Sequence, residues 1–466
     1  MKAEILKHWE ELRSSYWFVP SLMTLAAIAL SVTAVAVDRQ FSIDASGRFA
    51  WLYINRPDGA RALLATIAGS AITVGGVVFS ITIAAVAYTT SQFGPRLLSN
   101  FMRDRGNQVT LGTFIATFLY CLLILRFVRS AGEVMDDESA LAQSFVPHVA
   151  VLVALFLALA SVAVLIYYLH HLTRSIHISN VIAEVGEELL EALDKRFPDK
   201  DQHPAAADPD PDELAATLGE EPLEIRARQH GYCQNFDENA LLDIASRNHV
   251  ILLVDTRPGH FVHDASVLGH AWPRDGLAED DQADIRRSFA FGARRTVTQD
   301  VMFPVSELTE IAIRALSPGL NDPYTAMNCM NWLNAALVRM ADRAPRPHTM
   351  RDDDGALRVI LPRVTFEFMV HSVWDRLRPY VSRDPIAARH MMRLLGELAP
   401  SVSDGRLRLV LREHADALLA ASRASLTDDR DLELLTDRHR RTLAALEGGH
   451  SEAVELIAET DAETEL

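Results

Sequence analysis

The chain has 466 residues, with 62 acidic against 45 basic side chains and a formal net charge of −17 at pH 7. That balance argues against a nucleic-acid binder, which must neutralise phosphates with clustered Lys and Arg. Its three cysteines, Cys121, Cys233 and Cys329, lie far apart and fit neither a disulfide framework nor a zinc site.

Residues 1–16 carry Ile5, Leu6, Trp9 and Leu12 at helical spacing and read as a short amphipathic helix, followed by Tyr16 and Trp17 as interfacial aromatics. An apolar run over about 18–37 is long enough to span a bilayer. Ala34-Val35-Ala36 imitates a signal-peptidase site, but Glu4, Glu10 and Glu11 precede a run too long for a signal peptide, so it reads as an uncleaved anchor. Further apolar runs lie at about 62–93, 109–127 and 146–170, so residues 1–174 read as a transmembrane domain of four helices in contact with membrane lipid. No charged residue sits in the interior of a run, which argues against a proton-coupled transporter.

Four spans put both termini on one side. Lys2, Lys7 and Arg13, with Arg96, Arg103 and Arg105 between the second and third runs, assign that side to the cytoplasm. Arg39, Arg48, Arg56 and Arg61 in the first outer loop blunt the bias.

The second run is unlike a plain anchor, because Gly69, Ser70, Thr73, Gly75, Gly76, Ser80 and Thr82 crowd its middle. Small residues let helices approach, and hydroxyls bond across helices or line water. Two readings stand: a tightly packed helix, or a pore helix lined by Thr66, Ser70, Thr73, Gly76 and Ser80. Gly94-Pro95 then breaks the helix, and residues 97–105 read as an amphipathic surface segment. In the pore reading, Arg96, Arg103 and Arg105 form a cytoplasmic mouth favouring anions, and several copies must surround the axis. The pattern is similar to the pore helix of small-conductance mechanosensitive channels, with the departure that two more spans follow.

Residues 175–197 form a connecting helix with Ile178, Ile182, Val185, Leu189 and Leu193 as its apolar stripe. Residues 198–222, rich in Pro, Asp and Ala, read as an acidic linker. Residues 223–275 read as a small β-rich domain: a buried strand at 250–254, a turn at Arg257-Pro258-Gly259-His260, and a return strand from Phe261. Residues 276–447 read as mainly helical, with Ser306 as an N-cap and a strand-like run at 359–368, and 448–466 as a disordered acidic tail. The fold class is thus a four-helix membrane region followed by a cytoplasmic α+β region.

The sharpest local motif runs from Ala315 to Ala326, where Ser317-Pro318-Gly319 ends one helix and Asp322 caps the next with Pro323 at its first position. Ser317, Asn321, Asp322 and Thr325, with Arg294 and Arg295 upstream, are candidates for binding a ligand or partner, against the plainer reading of a structural corner. The two arginines either hold an anion or pair with Glu307, Glu310 or Asp322. No P-loop, dinucleotide glycine motif or nucleophile elbow is present, so no catalytic residues and no cofactor are assigned and the chain reads as a non-enzyme. His249, His260, His263 and His270 lack metal-ligand spacing, so no metal is assigned.

These blocks carry a resemblance. Residues 315–326, Arg294-Arg295-Thr296 with Gln299-Asp300, the stretch 91–108, and Ser144-Phe145-Val146-Pro147-His148 resemble bacterial predicted membrane proteins of the domain of unknown function 2254 family. The resemblance implies a multi-pass inner-membrane protein with a cytoplasmic C-terminal region and brings no activity with it. Two functions are expected: a homo-oligomeric channel for a small ion or anion, or a membrane-anchored sensor or scaffold that binds at the 317–325 corner.

Overall fold

The computed structural model describes residues 16–40, 56–93, 104–129, 145–175, 177–198, 218 and 221–448. The expected N-terminal helix, the Gly94-Pro95 break with Arg96 and Arg103, nearly all of the acidic linker and the acidic tail lie outside the described residues. The chain divides into two compact units, one within 9–177 and one within 178–466.

The first unit holds α1 (Phe18–Gln40), α2 (Pro57–Phe93), α3 (Arg105–Leu125) and α4 (His148–Ser175). All four are long and apolar enough to cross a membrane. α2 begins five residues before the apolar run, because Pro57 suits a first helical turn and the Arg61 Nη2 donates to the Val128 carbonyl at 3.0 Å. α3 starts at Arg105, where the Asp104 Oδ1 accepts from the Gly106 N–H at 2.8 Å.

α3 is the most buried of the four and packs on the other three. Small residues permit this: a Cβ at Gly112 would lie 2.6 Å from the Met23 sulfur, and one at Gly75 3.1 Å from the Phe114 Cβ. Hydroxyls tie the helices together. The Tyr120 hydroxyl donates to the Ala150 carbonyl at 3.0 Å, Thr117 meets Ser161 at 3.1 Å, and Thr82 meets Tyr168 at 2.8 Å.

The second unit begins with α5 (Ile178–Arg196), whose Val181, Ile182, Val185, Leu189 and Leu193 are buried. Two sheets follow. The larger has β1 (Leu223–Arg226), β5 (Val267–Trp272), β3 (Ile251–Val254), β8 (Leu357–Ile360) and β7 (Thr349–Arg351) in that spatial order. Its pairs are antiparallel except β3–β8, which is parallel with Leu252 opposite Val359. The smaller sheet orders β4 (Phe261–Val262), β2 (Gly231–Phe236) and β6 (Phe289–Gly292). The strands therefore extend beyond the 223–275 region. Central β3 needs a partner on each edge, and one of them, β8, lies some hundred residues further along the chain.

Helices α6 (Glu238–Arg247), α7 (Glu279–Arg287), α8 (Met302–Ala315), α9 (Pro323–Ala341), α10 (Phe366–Val381), α11 (Pro385–Glu397), α12 (Gly405–Ser425) and α13 (Asp429–Leu446) complete the unit. Ser306 is not an N-cap. It lies inside α8 with its hydroxyl donating to the Met302 carbonyl at 2.7 Å, while the Asp300 Oδ1 takes the Met302 N–H at 3.1 Å. The strand-like run at 359–368 ends at Ile360, and Thr365 then caps α10 through the Phe368 N–H at 3.1 Å.

Candidate functional site

Within the second unit, a pocket of about 230 Å³ is lined by six arginines: Arg196, Arg257, Arg295, Arg346, Arg363 and Arg376. They come from six places: the end of α5, the turn before β4, the stretch before α8, the segment before β7, the loop after β8, and α10. Phe197, Phe236 and Phe368 supply its apolar wall.

Two carboxylates partly balance this charge. Asp300, 2% exposed at its side chain, takes the Arg295 Nε and Nη2 at 2.7 Å each. Burial pushes its carboxyl above the ordinary value, against the pull of Arg295 and the Met302 N–H. Glu238 takes the Arg363 Nη1 and Nη2 at 2.7 and 2.8 Å and the Arg346 Nη2 at 3.1 Å. Burial alone would raise the Glu238 carboxyl, but the Arg363 hydrogen bonds and charge, then Arg346 and Arg196, bring it below the ordinary value.

The remaining guanidinium groups make no direct ion pair with a carboxylate among the described residues, although Arg196 feels the charges of Glu238 and Asp300, and Arg257 that of Asp300. Arg257 lies 4.1 Å over the Phe368 ring centroid, and its Nε donates to the His260 Nε2 at 2.9 Å. His260 therefore accepts at Nε2, and partial burial with the charges of Arg257 and Arg295 lowers its pKa. Arg196 and Arg376 make no hydrogen bond or ion pair with another described residue. Burial first, and the charge of Arg346 second, push Arg196 down to about 10. Guanidinium forks match phosphate and carboxylate oxygens two at a time, so this geometry suits an oxyanion.

Local sequence builds parts of the pocket. The turn Arg257-Pro258-Gly259-His260 carries Gly259 at φ +90°, against Asp300. Gln299 pairs with the Phe236 backbone of β2, accepting its N–H at 3.1 Å and donating to its carbonyl at 3.0 Å. That clamp carries Asp300 and the start of α8 to the pocket.

Of the sequence-derived binding set, Arg295 alone lines this pocket. Its carboxylate partner is Asp300, while Glu310 meets Arg314 at 3.7 Å. Arg294 is exposed, and its carbonyl accepts from the Gln234 side chain at 2.9 Å. Asp322 caps α9 through the Thr325 N–H at 3.1 Å, and Asn321 turns the chain at φ +48°, its N–H donating to the Ser317 carbonyl at 2.9 Å. His260 lines the pocket, whereas the His263 Nδ1 accepts from the Ala265 N–H at 3.2 Å. The sequence marks Arg257 only as part of a turn and does not single out Arg196, Arg346, Arg363 or Arg376, since no spacing links residues so far apart.

In the first unit, Thr66, Ser70, Thr73, Gly76 and Ser80 share the exposed side of α2, away from the buried Leu64, Ala68, Ala71 and Val78. The hydroxyls of Thr66, Thr73 and Ser80 donate to carbonyls one turn back, at 2.7, 2.8 and 2.9 Å. Arg105 is exposed at the start of α3.

The profile of the predicted membrane protein family DUF2254 matches residues 13–397, and the chain belongs to that family. Uncharacterized proteins of Mycobacterium bovis and Mycobacterium tuberculosis are 31% identical over 400 residues, covering 85% of this chain and 74% of each relative. No solved structure matches the chain.

Proposed function

With membership of this membrane-protein family as the premise, we propose that the protein is a membrane-anchored receptor for a small oxyanion, most simply a phosphate or phosphate ester. The observation that carries this reading is six guanidinium groups facing one pocket against two carboxylates. Arg376 is exposed and the other five are half-buried, and so many like charges brought together repel one another unless an anion neutralises them. A volume near 230 Å³ suits a phosphate group with a small apolar or planar attachment against Phe236 and Phe368.

In this reading the protein binds without turnover, and the pocket lies on the cytoplasmic side of the inner membrane, as the Lys and Arg bias suggests. α5 follows the last apolar helix in the chain and ends in the pocket at Arg196, which offers a covalent route from ligand to membrane. The test is thermal unfolding of the full chain in detergent with inorganic phosphate and adenosine monophosphate. A saturable rise that Arg196→Ala and Arg376→Ala abolish supports the receptor. No shift with either ligand, from folded protein, removes it.

A second reading, a homo-oligomeric channel, draws on the exposed small-residue face of α2. Gly69 and Gly76 on that side leave open space where a side chain would stand. Planar-bilayer recording decides it: discrete currents altered by Gly76→Leu or Ser80→Leu support a pore, and silence under tension and voltage opposes it.

A further inference from the structure

α10 carries two sets of side chains spaced by one turn. Phe368, Ser372 and Arg376 line the arginine pocket, while His371 and Asp375 lie beside His414 of α12. The His371 Nδ1 lies 3.1 Å from the His414 Nε2 and 3.3 Å from the Asp375 Oδ2. His414 is 3% exposed at its side chain, and His371 and Asp375 are nearly half exposed.

We propose that His371, Asp375 and His414 form a binding site for a divalent transition metal of the zinc class. Three considerations support it. First, ligand atoms about 2.0–2.1 Å from a tetrahedral ion lie roughly 3.3 Å from one another, close to the two separations above, and all three ligand atoms lie within 4.8 Å of one another. Second, the donor set of two imidazoles and one carboxylate matches zinc and the metals near it in the affinity series. Third, the ligands are held before any ion arrives. His371 and Asp375 are one turn apart on a helix, His414 is fixed by burial, and the Arg378 Nη1 holds the Asp375 Oδ1 at 2.6 Å, leaving Oδ2 turned to His371. The charge of Arg378 counts against a cation, so the affinity belongs to an exchangeable site rather than to one required for folding. The exposed side leaves a fourth position for water or an anionic ligand atom.

This site shares no ligand with the arginine pocket and stands independently of the receptor reading. The experiment is Co²⁺ titration of the full chain in detergent, without a polyhistidine tag, followed by the visible band of tetrahedral Co²⁺ and its displacement by Zn²⁺. One Co²⁺ per chain is expected. His371→Ala and Asp375→Asn, both at half-exposed positions, each weaken binding by more than about tenfold. His439→Ala is the control, because His439 meets Asp416 at 2.7 Å outside the cluster, and it leaves the band intact. Absence of a saturable band in the wild type, or a band that survives His371→Ala, overturns the proposal.

Discussion

A Cβ added to Gly259 would stand 2.2 Å from the Oδ2 of Asp300, so the backbone at one position is in contact with the carboxylate that orients Arg295. Gly259 also sits at φ +90°, where side chains are strained. Gly259→Ala should cost about 1–3 kcal/mol and displace Asp300. The expected result is a lower midpoint of thermal unfolding together with loss of phosphate binding. An unchanged midpoint and affinity would contradict the packing of this turn on the pocket.

Glu238 competes with any anion for Arg346 and Arg363. Glu238→Gln keeps the shape and removes the charge, so phosphate affinity should rise several-fold while stability falls by roughly 1–3 kcal/mol. Calorimetric titration reads the first effect and thermal unfolding the second. Weaker phosphate binding in a folded variant would mean that Glu238 positions the arginines more than it neutralises them.

His390 sets a pH dependence. Its Nε2–H donates to the Asn331 Oδ1 at 2.7 Å, and its Nδ1 accepts from the Arg393 Nη2 at 3.2 Å, so the ring is held neutral. Burial first, and the charge of Arg393 second, push its pKa down from 6.5 to about 3. The folded state thus binds fewer protons than the unfolded state between these values. The stabilisation is present above about pH 6.5 and declines as pH falls towards 3, by up to about 1.4 kcal/mol per pH unit. Denaturant titrations from about pH 7 to about pH 5 should show the decline, and His390→Gln should flatten it. An identical slope in the variant would assign the effect to other groups.

Asp38 joins the two ends of the membrane unit's sequence. Its Oδ1 and Oδ2 accept from the Val149 and Ala150 N–H groups at 2.9 and 3.0 Å, which caps α4 from α1. Asp38→Ala leaves both donors without this partner and should cost about 2 kcal/mol. Heat-induced aggregation in detergent should begin at a lower temperature, with Asp38→Asn intermediate. Equal onset for all three proteins would argue against the cap.

Features set by neighbours in the chain were legible from the sequence. The four spans follow from unbroken apolar runs, the turn at 257–260 from its Pro-Gly pair, and the α9 cap from Asp322-Pro323, because each depends on a few adjacent residues. Even Arg295 drew attention as a potential anion ligand. Ser306 misled, since a serine's preference for a helix start gives way when Asp300 takes that role six residues earlier. The pairing of β3 with β8, the convergence of six arginines, and the meeting of His371 with His414 were decided by tertiary structure alone. Their partners are separated by tens to well over a hundred residues, and no local period or spacing encodes which distant side chains a closed core brings together.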